Sequence, residues 1–176
     1  MKFANFPILI PAFTAQPNLH AQIHIDTPLA ITADLLAIPF LPTSGRLVSE
    51  PSYPYALRAS FVHGSDYLRR DPDGRHVRLD VRSVARDDRD GALLKFSYSG
   101  VVDVTGDAGK VIAGDRNAST TAFGNAFVQV RFETQDPRLQ DIENKLYVGS
   151  GRFIVQESQP IVVEYKISEV AAACGE

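Results

Sequence analysis

The sequence predicts an all-β fold, a single antiparallel sheet curled into a closed or nearly closed barrel with a central pocket and at most one or two short helices. Three observations carry this expectation. Short runs of β-branched and aromatic residues recur between residues 21 and 170, turn residues separate them, and no apolar spacing of helical period is sustained over a long window. The chain of 176 residues has the size of one ordinary domain and shows no repeat or linker, so residues 1–176 are read as one unit.

The apolar stretch at 3–13 is expected to form the first strand. Lys2 ahead of it also fits a secretory leader, but Pro7 and Pro11 break the run and one lysine is a weak basic region. A strand, in a cytoplasmic protein, is therefore the leading expectation. A short strand is predicted at 22–25. Prolines crowd the 39–54 segment, which favours irregular loops and edge strands because proline donates nothing to a ladder. Longer strands are predicted at 55–63, 76–84, 92–104, 126–134, 145–155 and 160–170. Between them, Asp73-Gly74, Asp90-Gly91 and Thr105-Gly106-Asp107 offer the positive-φ residues of tight hairpin turns. Asp136-Pro137 ahead of 138–144 predicts one short helix, capped by Asp136 with proline in its first position.

Alternation along a strand sorts inside from outside. Tyr55, Leu57, Ala59, Phe61 and His63 share one face and are assigned to the interior, as are Leu94, Phe96, Tyr98 and Gly100, and Ile161, Val163, Tyr165 and Ile167. Several strands thus present one apolar, aromatic-rich face, which a barrel wraps around a ligand-sized cavity.

Composition narrows the function classes. With 44% hydrophobic and 22% charged residues and a net charge of −3, the chain is an ordinary globular protein without the basic field that nucleic acid requires. No apolar run reaches the roughly 20 residues of a membrane helix. Cys174 is the only cysteine, which excludes an internal disulfide and a cysteine metal cluster. Asp71, Asp73, Asp87, Asp88 and Asp90 lack the spacing of a calcium loop and are read as turn residues. His20 and His24 could share a strand face, but no third metal ligand is evident. There is no phosphate-cradling glycine loop and no nucleophile elbow, so no cofactor and no metal are expected.

Two constellations stand out. His63 ends an apolar stripe and Asp66 follows closely, so an imidazole and a carboxylate could meet at a barrel mouth and move protons near neutral pH. The plainer alternative makes His63 a rim histidine and Asp66 a turn residue. Asp80 and Arg82 share one strand face. In the lumen the guanidinium could hold a phenolate or a developing enolate; outside, the pair is solvated and of little energetic worth. Alternation favours the outside, because Val77, Leu79 and Val81 then fill the interior. Arg131 and Glu133 raise the same question against Val130 and Phe132.

Three segments together resemble the small β-barrel family known as domain of unknown function 3237. They are His63-Gly64-Ser65-Asp66-Tyr67 running to Asp73-Gly74; Leu79-Asp80-Val81-Arg82 followed by Asp90-Gly91-Ala92-Leu93-Leu94 and Tyr98-Ser99-Gly100-Val101; and Arg131-Phe132-Glu133-Thr134-Gln135-Asp136-Pro137-Arg138, continuing to Tyr147-Val148-Gly149-Ser150-Gly151-Arg152. Ser65 and Tyr67 depart from the glycine and tryptophan usual there. The resemblance implies a calycin-like barrel with a central pocket. Its fungal members are associated with cofactor-free ring closures of phenolic polyketides, by intramolecular hydroalkoxylation or chalcone-type isomerisation.

On that resemblance the expected function is a cofactor-independent isomerase or cyclase that joins a phenol oxygen to a nearby alkene or enone. His63 or Asp66 would be the base, and Arg82, oriented by Asp80, the electrostatic donor. Phe61, Phe96, Tyr98, Phe132, Glu133 and Tyr147 would bind the substrate. A non-catalytic carrier of hydrophobic metabolites is the alternative, and a structural β-domain with a filled interior a further one. The expected partner is a small hydrophobic or phenolic molecule, with neither nucleic acid nor membrane, and self-association is left open.

Overall fold

The structure, a computed structural model, describes residues 5–13, 22–24, 27–41 and 45–173. The elements, in chain order, are β1 (Ile8–Phe13), β2 (Gln22–His24), β3 (Leu29–Thr32), β4 (Leu35–Pro39), β5 (Arg46–Val48), β6 (Arg58–Arg70), β7 (His76–Asp87), β8 (Leu93–Asp103), α1 (Asp107–Ile112), β9 (Ala126–Thr134), α2 (Gln140–Glu143), β10 (Leu146–Ile154) and β11 (Val162–Ala171). The strands join in one antiparallel sheet in the order β1-β11-β10-β9-β8-β7-β6-β4-β3, with β2 also on β11 and β5 also on β6.

The sheet curls strongly without a continuous ladder around its circumference. At one end a single bridge, Phe13 to Ser49, links β1 to the residue after β5, and Glu50 N–H donates to the Ala12 carbonyl (2.8 Å). Because β5 lies on β6 and β1 on β11, this bridge draws the two sides of the sheet together at that end.

The interior has two parts. The bridged end is packed solid. Phe13 meets the rings of Tyr53, Phe132 and Tyr147 at 5.2, 5.1 and 5.6 Å, and Phe96 meets Phe61 and Phe132 at 5.5 Å. Such tilted and edge-on pairs are each worth about 1 kcal/mol beyond the burial itself. The polar tips among them are satisfied: Tyr53 donates to Glu169 (2.6 Å), shares a hydrogen bond with the Tyr147 hydroxyl (2.9 Å), and Lys145 closes on the other Glu169 oxygen (2.7 Å). The opposite end holds a cavity.

Alternation holds for β7 through β10; in β11 Tyr165 and Ile167 are buried as expected, but Val162 and Glu164, of the opposite parity, are buried as well. Val77, Leu79 and Val81 are buried, as are Leu94, Phe96 and Tyr98, and Val128, Val130 and Phe132. It fails in β6, which has one extra residue against β7. Phe61 pairs with Ala85 and His63 with Val84, so Val62 forms a β-bulge. A bulge reverses the in-out sequence downstream of it. His63, expected inside with Phe61, is exposed, and Gly64, Asp66 and Leu68 take the inward positions.

Other expectations need correction. β6 does not stop at residue 63; Ser65 and Asp66 pair with Pro39 and Ile38 of β4, so Asp66 is a strand residue and not a turn. The 39–54 segment contributes β5, and β3 and β4 precede it. Gly74 and Gly91 have positive φ in their turns, but Gly106 has φ −118° and leads into α1 instead of a tight reversal. Asp136 caps the turn at residues 137–139, accepting from Arg138 N–H at 2.9 Å, and α2 starts only at Gln140. Asp73, Asp87 and Asp90 each accept a backbone N–H two residues on, as turn residues do. His20 and Cys174 lie outside the described residues.

Candidate active site

Two glycines make room for the walls of the cavity. The Phe40 ring lies against Gly64, where a Cβ would come within 2.5 Å of it, and Phe40 N–H donates to the Gly64 carbonyl (2.9 Å). Across the barrel, Tyr165 lies over its cross-strand partner Gly151, where a Cβ would also come within 2.5 Å of the ring. Both rings are thereby pressed against the sheet, and space of about 360 Å³ remains between them. That is within the range of small-molecule sites.

The walls are Leu36 and Ile38 of β4, Phe40 just after it, Leu68 of β6, Leu79 of β7, Phe153 of β10, Ile161 just before β11 and Val163 within it. Thr27, Pro28, Val111 and Ile112 of α1, Gly114, Gln159 and Pro160 surround its rim. Three side chains bring chemistry into this apolar setting: Asp66, Tyr98 and Tyr165.

Asp66 projects inward between Ile38 and Val81, its neighbours on the flanking strands. One oxygen, Oδ1, accepts the Asp80 backbone N–H at 3.2 Å, beside a gap in the β6–β7 ladder between Asp66 and Arg69. Among the described residues no hydrogen bond is made to the other oxygen. The surface that Asp66 keeps accessible opens into the cavity, where the walls cannot solvate a carboxylate. Burial therefore pushes its pKa up to about 7; the Asp80 N–H opposes the rise and the Asp80 charge adds to it.

Tyr98 and Tyr165 are both buried, their ring centroids 5.0 Å apart. Their hydroxyls lie close enough to influence each other. Burial is the largest cause holding both phenols above their ordinary pKa, and the Asp66 charge adds to it. They stay protonated and act as hydrogen-bond donors. Apart from each other, the two hydroxyls have no protein partner among the described residues. A carboxyl group that ionises near neutrality and two neutral phenols therefore face one largely apolar cavity, an arrangement suited to moving a proton and stabilising the oxyanion that results.

Of the expected site residues, Asp66 and Tyr98 are brought together there. His63 points out and cannot meet Asp66. Asp80 and Arg82 lie on the outer face, joined at 3.0 Å and both more than half exposed, so Arg82 cannot stabilise charge in the lumen. Glu133 is also outside, paired with Lys95 at 2.5 Å. Phe61, Phe96, Phe132 and Tyr147 are interior but belong to the packed end beneath the cavity and do not line it. Tyr165 was assigned to the interior by alternation without a role; the glycine opposite it, at residue 151, was the available signal.

A strongly curled antiparallel sheet with one pocket-bearing end defines a β-barrel-like protein. Residues 7–170 match the profile of the family described as "Protein of unknown function (DUF3237)", and the chain belongs to that family. Three crystal structures share the fold. One, of a conserved protein of unknown function from Rhodopseudomonas palustris, is 17% identical with a TM-score of 0.66, over 93% of this chain and 97% of that one. Another, of a protein with unknown function from Clostridium acetobutylicum, is 18% identical with a TM-score of 0.64 over the same shares. A third, a beta-barrel like protein from Acinetobacter baumannii, is 17% identical with a TM-score of 0.61, over 93% and 96%. No curated protein matches the chain. No helix among the described residues is long and apolar enough to cross a membrane.

Proposed function

We propose that the protein is a cofactor-independent isomerase or cyclase that works by proton transfer on a small, largely apolar substrate bound in the cavity. The observation that carries this reading is the Asp66 carboxyl group, open to an apolar cavity beside the hydroxyls of Tyr98 and Tyr165. A simple carrier of hydrophobic molecules needs the walls but not a desolvated carboxylate, whose burial costs stability unless it is used.

For a phenolic enone the steps balance without a co-reactant. Asp66 takes the phenol proton, the oxygen adds to the alkene carbon, and the carbonyl becomes an enolate that accepts hydrogen bonds from Tyr165 and Tyr98. Asp66 then returns the proton to the neighbouring carbon. One O–H bond and the π bond of the alkene are lost, one C–O and one C–H bond form, and the formula is unchanged. Holding the reacting atoms together in the cavity supplies a further part of the rate.

The test is turnover of a hydroxychalcone to its flavanone, followed by absorbance. Asp66→Asn is expected to lower turnover at least a hundredfold, the scale of a lost general base, while Lys95→Ala on the outer face leaves it unchanged. Because the base must be ionised, kcat/KM should rise with pH through about 7 and level off above it. Tight binding of the hydroxychalcone with no turnover, in the wild type as in Asp66→Asn, would instead support the carrier.

A further inference from the structure

We infer that the same cavity enolises compact neutral ketones, removing a proton from the carbon next to the carbonyl and returning it elsewhere on the skeleton. This rests on the reading of Asp66 as a base, and it names the substrate class and a second reaction for that base. The cavity supplies what a carbon acid requires and little else. The carbonyl oxygen needs donors that stay protonated as negative charge builds on it, and Tyr165 and Tyr98 are buried phenols without tight partners. The proton on carbon needs a base away from water, and the free oxygen of Asp66 opens onto the same apolar space. A carboxylate base with hydroxyl donors in an apolar site is a recurring solution to this chemistry.

The lining also fixes the charge and size of the substrate. Among the described residues no lysine, arginine or histidine lines the cavity, so a carboxylate or phosphate group would meet Asp66 with no counter-charge from them. At about 360 Å³ the space has room for a compact skeleton of about two rings. In a β,γ-unsaturated ketone of that size, Asp66 takes the α proton and the C–H electrons pass into the carbonyl, giving a dienolate whose oxygen is held by the phenols. Asp66 then delivers the proton to the γ carbon, and the double bond moves into conjugation. One C–H bond breaks, another forms, and the formula is unchanged.

The experiment uses the full chain and 2-tetralone in deuterated buffer, with deuterium entry at the α carbon followed by NMR. 2-Naphthol serves as a stable mimic of the enol, its binding read by fluorescence. Exchange is expected to exceed the buffer rate at least a hundredfold, to fall about a hundredfold in Asp66→Asn and roughly ten- to a hundredfold in Tyr165→Phe, and to be unaffected in Lys95→Ala. 2-Naphthol should bind Asp66→Asn more tightly than wild type at pH 8, where the carboxylate repels the partial charge on its oxygen, and equally at pH 5, where Asp66 is protonated. Exchange at the buffer rate with 2-naphthol bound overturns the inference, and so does exchange that survives Asp66→Asn. If in either case the hydroxychalcone is still cyclised with dependence on Asp66, the isomerase reading stands while this inference falls. If the hydroxychalcone is not turned over either, both fall.

Discussion

Asp66 carries an energetic cost that its environment makes measurable. Its pKa of about 7 in the folded chain lies above the ordinary 3.8, so between those values the folded state binds more protons than the unfolded state. Stability is therefore fully present below about pH 4 and is lost as pH rises through about 7. Asp66→Asn keeps an oxygen for the Asp80 N–H and removes the charge. It is expected to raise stability by a few kcal/mol at pH 8 and hardly at all at pH 4, measured by urea unfolding at both values. A variant that loses turnover while gaining stability marks a residue retained for chemistry. At this scale the sequence was legible for residue type but not for orientation. Asp66 was a candidate because of its neighbours in the motif, yet nothing in the letters announced that Val62 would bulge and exchange the positions of His63 and the residues after it.

At the scale of the element, β6 and the aromatic rings beside it decide the shape of the cavity. Gly64→Ala puts a methyl group 2.5 Å from the Phe40 ring and 2.6 Å from Ser83 Cβ, so the ring, which lines the cavity, must shift. The expected result is a loss of about 1–3 kcal/mol in stability and a weaker affinity for 2-naphthol, both obtained from thermal melts with and without the ligand. The long strands were legible because alternation and turn residues agree in them: Gly74 and Gly91 sit at positive φ where Asp-Gly pairs predicted reversals. α1 was not, since its six residues give too few turns for a helical period and Gly106 resembles a hairpin residue. β3, β4 and β5 were hidden for a similar reason, each being three to five residues long in a stretch interrupted by prolines. Leu36, Ile38, Phe40, Val111 and Ile112 were consequently missing from the expected pocket, although they form much of it.

Across the whole molecule, the curled sheet was readable from composition and periodicity, and the division of its interior into a packed end and an open end was not. That division depends on which strands meet across the barrel, and pairings between the two ends of the chain leave no local pattern. The bridge from Phe13 to Ser49 has a consequence in time as well as in shape. β6 to β11 add to the sheet one neighbour after another along the chain, whereas β1 must find β11 at the far end of the sequence. Loop closure of that length is slow and comes after local pairing, so the seam is expected to form last and to open first. Phe13→Ala should lower stability by about 3–5 kcal/mol, and in stopped-flow folding experiments most of that loss should appear as faster unfolding, with the refolding rate little changed. The residue that holds the ends of the sheet together would then set how long the folded protein lasts and leave how quickly it is made to the strands in between.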